Sequence, residues 1–212
     1  MTKRQQPQSL HKSQEGGYTI IESLVAMIVV SVLMIAIAPV MAYSVATRVQ
    51  AKRIEMATQA AKTYIDALKP PSTPLPNGFP KQYATIDLEK TPAPTDMKEL
   101  YCIDKDGDQE CTADSNQDFV VQGYYYNKSL NTTDAAKTGY SLIVRVYRAN
   151  SFASGIGPLT TQNTTKGQQG TTTAGLGNLK APLVEIRTEI GASDRQGAYN
   201  NFCDRIAGGC TQ

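Results

Sequence analysis

The sequence predicts an α+β fold: one long N-terminal helix packed on an antiparallel sheet of about four strands. Three observations predict it. Apolar residues fill nearly all of Ile20 to Ala42; apolar positions then recur at spacings of three and four as far as Leu68; and three later segments have the composition and alternation of strands. A chain of 212 residues has room for one membrane segment and one domain of ordinary size.

The apolar stretch comes first. About 20 such residues in a helix cross a hydrocarbon core of roughly 30 Å, so the segment 18–45 reads as a membrane helix. Two of its residues are unusual for a plain anchor. Glu22 lies one turn in, where an ionised side chain costs about 2.5–3.5 kcal/mol at mid-bilayer and less near an end. Pro39 removes an amide donor and leaves the carbonyl of Ile35 without its helical partner. Ahead of the helix, Lys3, Arg4 and Lys12 against Glu15 give residues 1–17 a net charge of +2, equal to the +2 of the whole chain. The remainder is therefore neutral overall, with no basic character to attract nucleic acid. A positive leader keeps the N-terminus cytoplasmic and sends everything after the helix out. The Gly16-Gly17 pair precedes the apolar run, whereas a secretory signal carries its small residues after it, so the helix is expected to be retained.

The run Gly16-Gly17-Tyr18-Thr19-Ile20-Ile21-Glu22 resembles the type IV pilin and pseudopilin family, in which a prepilin peptidase cuts after the glycine and methylates the new terminus. The resemblance implies a pilin-like fold and cleavage after Gly17, leaving Tyr18 first in the mature chain, with Glu22 and Pro39 at the family's glutamate and helix-melting proline. It also implies that Glu22 pairs with the terminal amine of a neighbouring subunit, so that two buried charges are matched only on assembly. Tyr18 stands where phenylalanine is commoner, and Ser23 where an aliphatic residue is usual. The runs Ile35-Ala36-Ile37-Ala38-Pro39-Val40, Ser44 to Arg53 and Ala57 to Asp66 are similar to pseudopilins of filamentous cyanobacteria associated with hormogonium polysaccharide secretion. That likeness implies export of a gliding polysaccharide, an inner-membrane location with a periplasmic or filament-borne head, and, as partners, platform proteins, an assembly ATPase and other pseudopilins. A minor pilin of a surface filament, or a calcium-dependent binding head on a membrane anchor, are the alternative readings.

The exported head should cover 46–212. Its helix, 46–69, carries the stripe Ile54, Ala57, Ala61, Tyr64, Ile65 and Leu68, with Arg48, Lys52, Arg53, Lys62 and Asp66 largely elsewhere; Pro70 and Pro71 end it. Residues 70–99 are proline-rich, which predicts a surface loop or linker.

The segment 102–111 is the most chemically specific part of the head. Asp104, Asp106, Asp108 and Glu110 alternate around Gly107, hard oxygen ligands that suit calcium, which takes 6–8 oxygens at about 2.3–2.6 Å. Its glycine comes too early for an EF-hand, and the pattern reads either as a calcium site or as a solvated acidic turn; no other cofactor is expected. Four cysteines in an exported chain suggest two disulfides, and proximity favours Cys102 with Cys111 and Cys203 with Cys210.

The strands are expected at Phe119 to Tyr126, Tyr140 to Arg148 and Pro182 to Ile190, within a sheet region 118–190. Tyr140, Leu142, Val144 and Val146 share one face, as do Val184, Ile186 and Ile190. Tyr124, Tyr125 and Tyr126 read as half-buried sheet positions, with a sugar-stacking face as the alternative. The polar stretch 149–180 predicts an exposed, mobile insertion, and 191–212 a disulfide-tied tail. The only histidine, His11, lies in the leader, so the head has no Ser-His-Asp or Cys-His arrangement, and it has no phosphate loop. An assembly part is expected, not an enzyme.

Overall fold

The structure, a computed structural model, describes residues 19–69, 80–127, 138–162 and 177–192, with Tyr199, Phe202, Cys203 and Cys210. The proposed cleavage point at Gly17 and Tyr18, residues 70–79, the middle of the polar insertion and most of the C-terminal tail lie outside these residues. One α-helix, α1 (Ile20–Leu68), precedes five strands: β1 (Lys81–Gln82), β2 (Tyr101–Ile103), β3 (Phe119–Tyr126), β4 (Tyr140–Arg148) and β5 (Val184–Ile190). The fold is α+β. The chain divides into two compact units, 1–42 and 43–212.

In the first unit α1 runs through Pro39 without interruption. Its most apolar window is long enough to cross a membrane, and none of that window is buried. Thr19 starts the helix: its carbonyl and its hydroxyl both accept from the amide of Glu22, at 3.0 and 3.3 Å.

The second unit is built around the antiparallel ladder β3-β4-β5, in which Val121 lies opposite Val146 and Val144 opposite Ile186. Alternate residues of each strand face the remainder of α1. Phe119, Val121, Tyr125, Leu142, Val144, Val146 and Ile190 form one core with Ala57, Ala61, Tyr64 and Ile65, and Ile54, Leu68, Val184 and Ile186 pack at its margin. The helical stripe and the strand faces expected from the periodicity are the ones buried. Small residues at 57, 60 and 61 let the helix approach closely. Closest of all is the crossing at Gly123, where an added Cβ would run into the Tyr64 hydroxyl and lie 3.0 Å from its ring and 3.1 Å from Pro80.

The sheet differs from the expected four antiparallel strands. It has five strands and is mixed, because the outer edge of β3 is closed by two short segments: β1 pairs parallel to Tyr124 and Tyr125, and β2 antiparallel to residues 119–121. Closure satisfies backbone groups that would otherwise template a foreign strand. β5 begins at Val184 instead of at Pro182, which has no amide to donate.

The far face of the sheet is also covered. All nine residues of β4 are buried, because segment 88–100 and the start of the insertion lie over it. Leu100, Val120 and Tyr147 form a second apolar cluster with Met97, Phe152 and Leu159. At the start of the insertion Ser151 is buried and Phe152 and Leu159 pack into this cluster, while residues 154, 155, 157 and 158 are exposed. Arg145, 1 % exposed, fixes the cover in place. Its Nε donates to Glu185 (2.7 Å), its Nη1 to the carbonyl of Thr91 (2.9 Å) and its Nη2 to that of Glu89 (3.2 Å).

The tyrosine run divides by strand alternation. Tyr125 is in the helix-side core, its ring centroid 5.3 Å from that of Tyr140, while Tyr124 meets Tyr83 edge-on on the other face. Adjacent tyrosines therefore do not share one stacking face.

Two consequences can be measured. Gly123→Ala should cost about 1–3 kcal/mol in urea unfolding through overpacking, and Tyr64→Phe should restore part of that loss, because it removes a buried hydroxyl that has no hydrogen-bond partner among the described residues. Burial pushes Tyr140 up to about 12 and raises Tyr64, Tyr125 and Tyr147. A neutral acid whose folded pKa is raised contributes stability that is complete below its unfolded value near 10 and is lost as pH rises through the folded value. Burial with Arg53 nearby lowers Arg148 to about 10, an effect of opposite sign from a single group. The head should unfold cooperatively between about pH 10 and 12. The late-titrating part of the tyrosinate absorbance, from the buried tyrosines, and far-ultraviolet circular dichroism should change together; that part appearing well before structure is lost would contradict this.

Candidate functional site

Two features carry chemistry: the carboxylate in the apolar helix and the acidic loop between β2 and β3. Glu22 is exposed in the first turn of α1, and Ile20, Ile21, Leu24 and Val25 around it are 53–86 % exposed. Nothing else in the first turn is charged. Pro39 is inside the same helix.

The acidic loop begins where β2 ends. Cys102 is bonded to Cys111 with their Cα atoms 5.8 Å apart, so nine residues of sequence return almost to their starting point. The turn within uses left-handed backbone at Gly107 (φ +88°) and at Gln109 (φ +71°). Glycine adopts this conformation freely, whereas a glutamine there carries strain that its surroundings must offset. Asp104 supplies the offset: its Oδ1 accepts from the Gly107 amide at 2.6 Å and its Oδ2 from the Gln109 amide at 2.8 Å. These two amides, Gly107 first, hold the Asp104 carboxyl below the usual carboxylate range. Asp106 Oδ2 accepts from the Ser115 hydroxyl at 3.0 Å, and Asp108 Oδ1 from the Glu110 amide at 2.9 Å.

Asp118 joins them from the start of β3. It is fully buried, its Oδ1 accepts from the Lys105 amide at 2.9 Å, and its carbonyl accepts from Ala149 at 3.0 Å. One carboxylate oxygen from each of Asp104, Asp106, Asp108 and Asp118 lies within 4.8 Å of the others. Three of the four residues singled out by spacing are thus brought together. Glu110 is exposed and stands outside the group, because the left-handed turn at Gln109 sends the chain away toward Cys111. Asp118 escapes the spacing argument, being ten residues beyond Asp108. Its one sequence signal is an aspartate abutting an all-apolar strand start.

The second disulfide joins Cys203 to Cys210, so both cysteine pairs follow sequence proximity. No family model matches the chain, nor does any curated protein or solved structure.

Replacing both Cys102 and Cys111 by serine should lower the stability of the head to urea by about 2.5–3 kcal/mol, the loop-closure value for a ring of this size. A change below about 0.5 kcal/mol would show that the hydrogen bonds of Asp104 and Asp118 hold the loop unaided.

Proposed function

We propose that the chain is a pseudopilin-like subunit that assembles through α1 into a short filament supporting export of a polysaccharide, and with it gliding motility. The observation that carries this reading is Glu22, an exposed carboxylate in the first turn of a helix segment otherwise apolar and unburied. A simple anchor gains nothing from a charge at membrane depth, whereas an assembling helix can match it to a cation on a neighbouring copy. The supporting sequence pattern is the glycine pair, the aromatic-led apolar run, the glutamate and the proline. In this reading a prepilin peptidase cleaves after Gly17, and the amine of Tyr18 becomes the partner of Glu22. The chain stays in the inner membrane with its N-terminus cytoplasmic and its head on the outer side, alongside platform proteins, an assembly ATPase and related subunits.

A head whose two central strands, β3 and β4, have no exposed residue suits a structural part.

Deletion of the gene tests the reading most directly, with secreted polysaccharide and surface pili assayed on the same cells. Loss of polysaccharide with pili intact is expected; loss of pili would point to a minor pilin, and no change in either to an anchored binding head. Glu22→Ala should leave membrane insertion unchanged but reduce cross-linked multimers at least about tenfold, a loss equivalent to about 1.4 kcal/mol. Normal multimers in that variant would eliminate the charge-pairing role.

A further inference from the structure

We propose that Asp104, Asp106, Asp108 and Asp118 form a calcium site closed by the Cys102–Cys111 disulfide. Four carboxylates whose oxygens lie within 4.8 Å of one another repel strongly, and none of the four is in an ion pair among the described residues. Exposed aspartates relieve such repulsion in solvent. Asp118 does not have that outlet: it is fully buried, and no donor among the described residues reaches its Oδ2. A buried, unpaired carboxylate oxygen loses its hydration with nothing in exchange, unless a cation replaces the water.

The donor chemistry favours calcium. Oxygens within 4.8 Å of one another can share one ion at calcium's ligand distance of about 2.4 Å, and the choice of ion rests on their type and number. All the ligands are hard oxygens, and the exposed side at Asp106 and Asp108 leaves room for water to complete six to eight positions. Magnesium demands a tighter octahedron and usually takes only one or two carboxylates. Zinc would draw on sulfur or imidazole, but both nearby cysteines are in the disulfide and no histidine is present.

The loop is also held ready. Asp104 is oriented by two backbone amides, Asp106 by Ser115, and Asp118 by the Lys105 amide, so each carboxylate keeps an oxygen or lone pair for a metal while being fixed by a donor. The ion would join the turn after β2 to the start of β3 and, through the Ala149 amide on the carbonyl of Asp118, to the end of β4. This site is independent of the assembly reading, since binding is measured on the isolated protein.

The test is a calorimetric titration of calcium into the full chain, purified in detergent and stripped with chelator, then the same titration with magnesium. One calcium per chain should bind with a Kd below about 1 mM, the range of extracellular modules, and magnesium at least about tenfold more weakly. Saturating calcium should raise the thermal midpoint of the head. Asp118→Asn, equal in shape, should weaken calcium at least about tenfold, and Glu110→Gln should stay within about threefold. If Asp118→Asn fails to fold, the exposed Asp106→Asn must show the loss instead. Absence of saturable calcium binding up to about 10 mM would overturn the site, as would a loss on Glu110→Gln equal to that on Asp106→Asn.

Discussion

Arg145 lies in the middle of the sheet, on the face turned away from the helix, and its charge is removed from water. A guanidinium in that position is tolerable only when its donors are used, and the demand organises everything on that side. Glu185, directly opposite on β5, neutralises it. The carbonyls of Thr91 and Glu89 take two further donors, drawing a proline-rich segment across β4 and converting a loop into a layer. Gln122 adds to the same row, donating to the carbonyl of Pro92 at 3.1 Å. The second apolar cluster can then close between Leu100, Val120 and Tyr147.

On the other face the constraint is steric. Gly123 faces Tyr64, and the helix carries alanine at 57, 60 and 61, so α1 settles onto β3 and β4 at short range. Two central strands buried on both sides leave few places there for flexible function. The chemistry is displaced to the edges, at the acidic loop beyond β2, where the disulfide and the buried Asp118 define a rigid frame. Arg148 shows the cost of the arrangement. Its Nη2 reaches Gln50 at 3.2 Å, while its Nε and Nη1 lack partners among the described residues, and burial lowers its pKa to about 10.

The proposed assembly role and the proposed ion site occupy different ends of the same logic. In each, an aspartate or glutamate is placed where water cannot easily serve it. Glu22 would do so once its apolar helix lies in a membrane, and its remedy would come from another subunit. Asp118 does so inside the head, and its remedy would come from an ion.

Local sequence determined the helix, its buried stripe, the three long strands and both disulfides, because each rests on short-range periodicity or on cysteines seven and nine residues apart. It also brought Asp104, Asp106 and Asp108 together, since alternate residues around a glycine turn cannot move far from one another. Only the tertiary structure decided the rest. The parallel strand β1 depends on an open edge of β3 that no local pattern announces. The cover over β4 depends on Arg145 meeting carbonyls more than fifty residues earlier in the chain. Asp118 enters the acidic cluster because the chain, after ten residues beyond Asp108, turns back to begin β3 beneath the loop. Spacing identifies ligands that are close in sequence; folding alone supplies the one that is buried, and the burial is what turns an acidic turn into a candidate site.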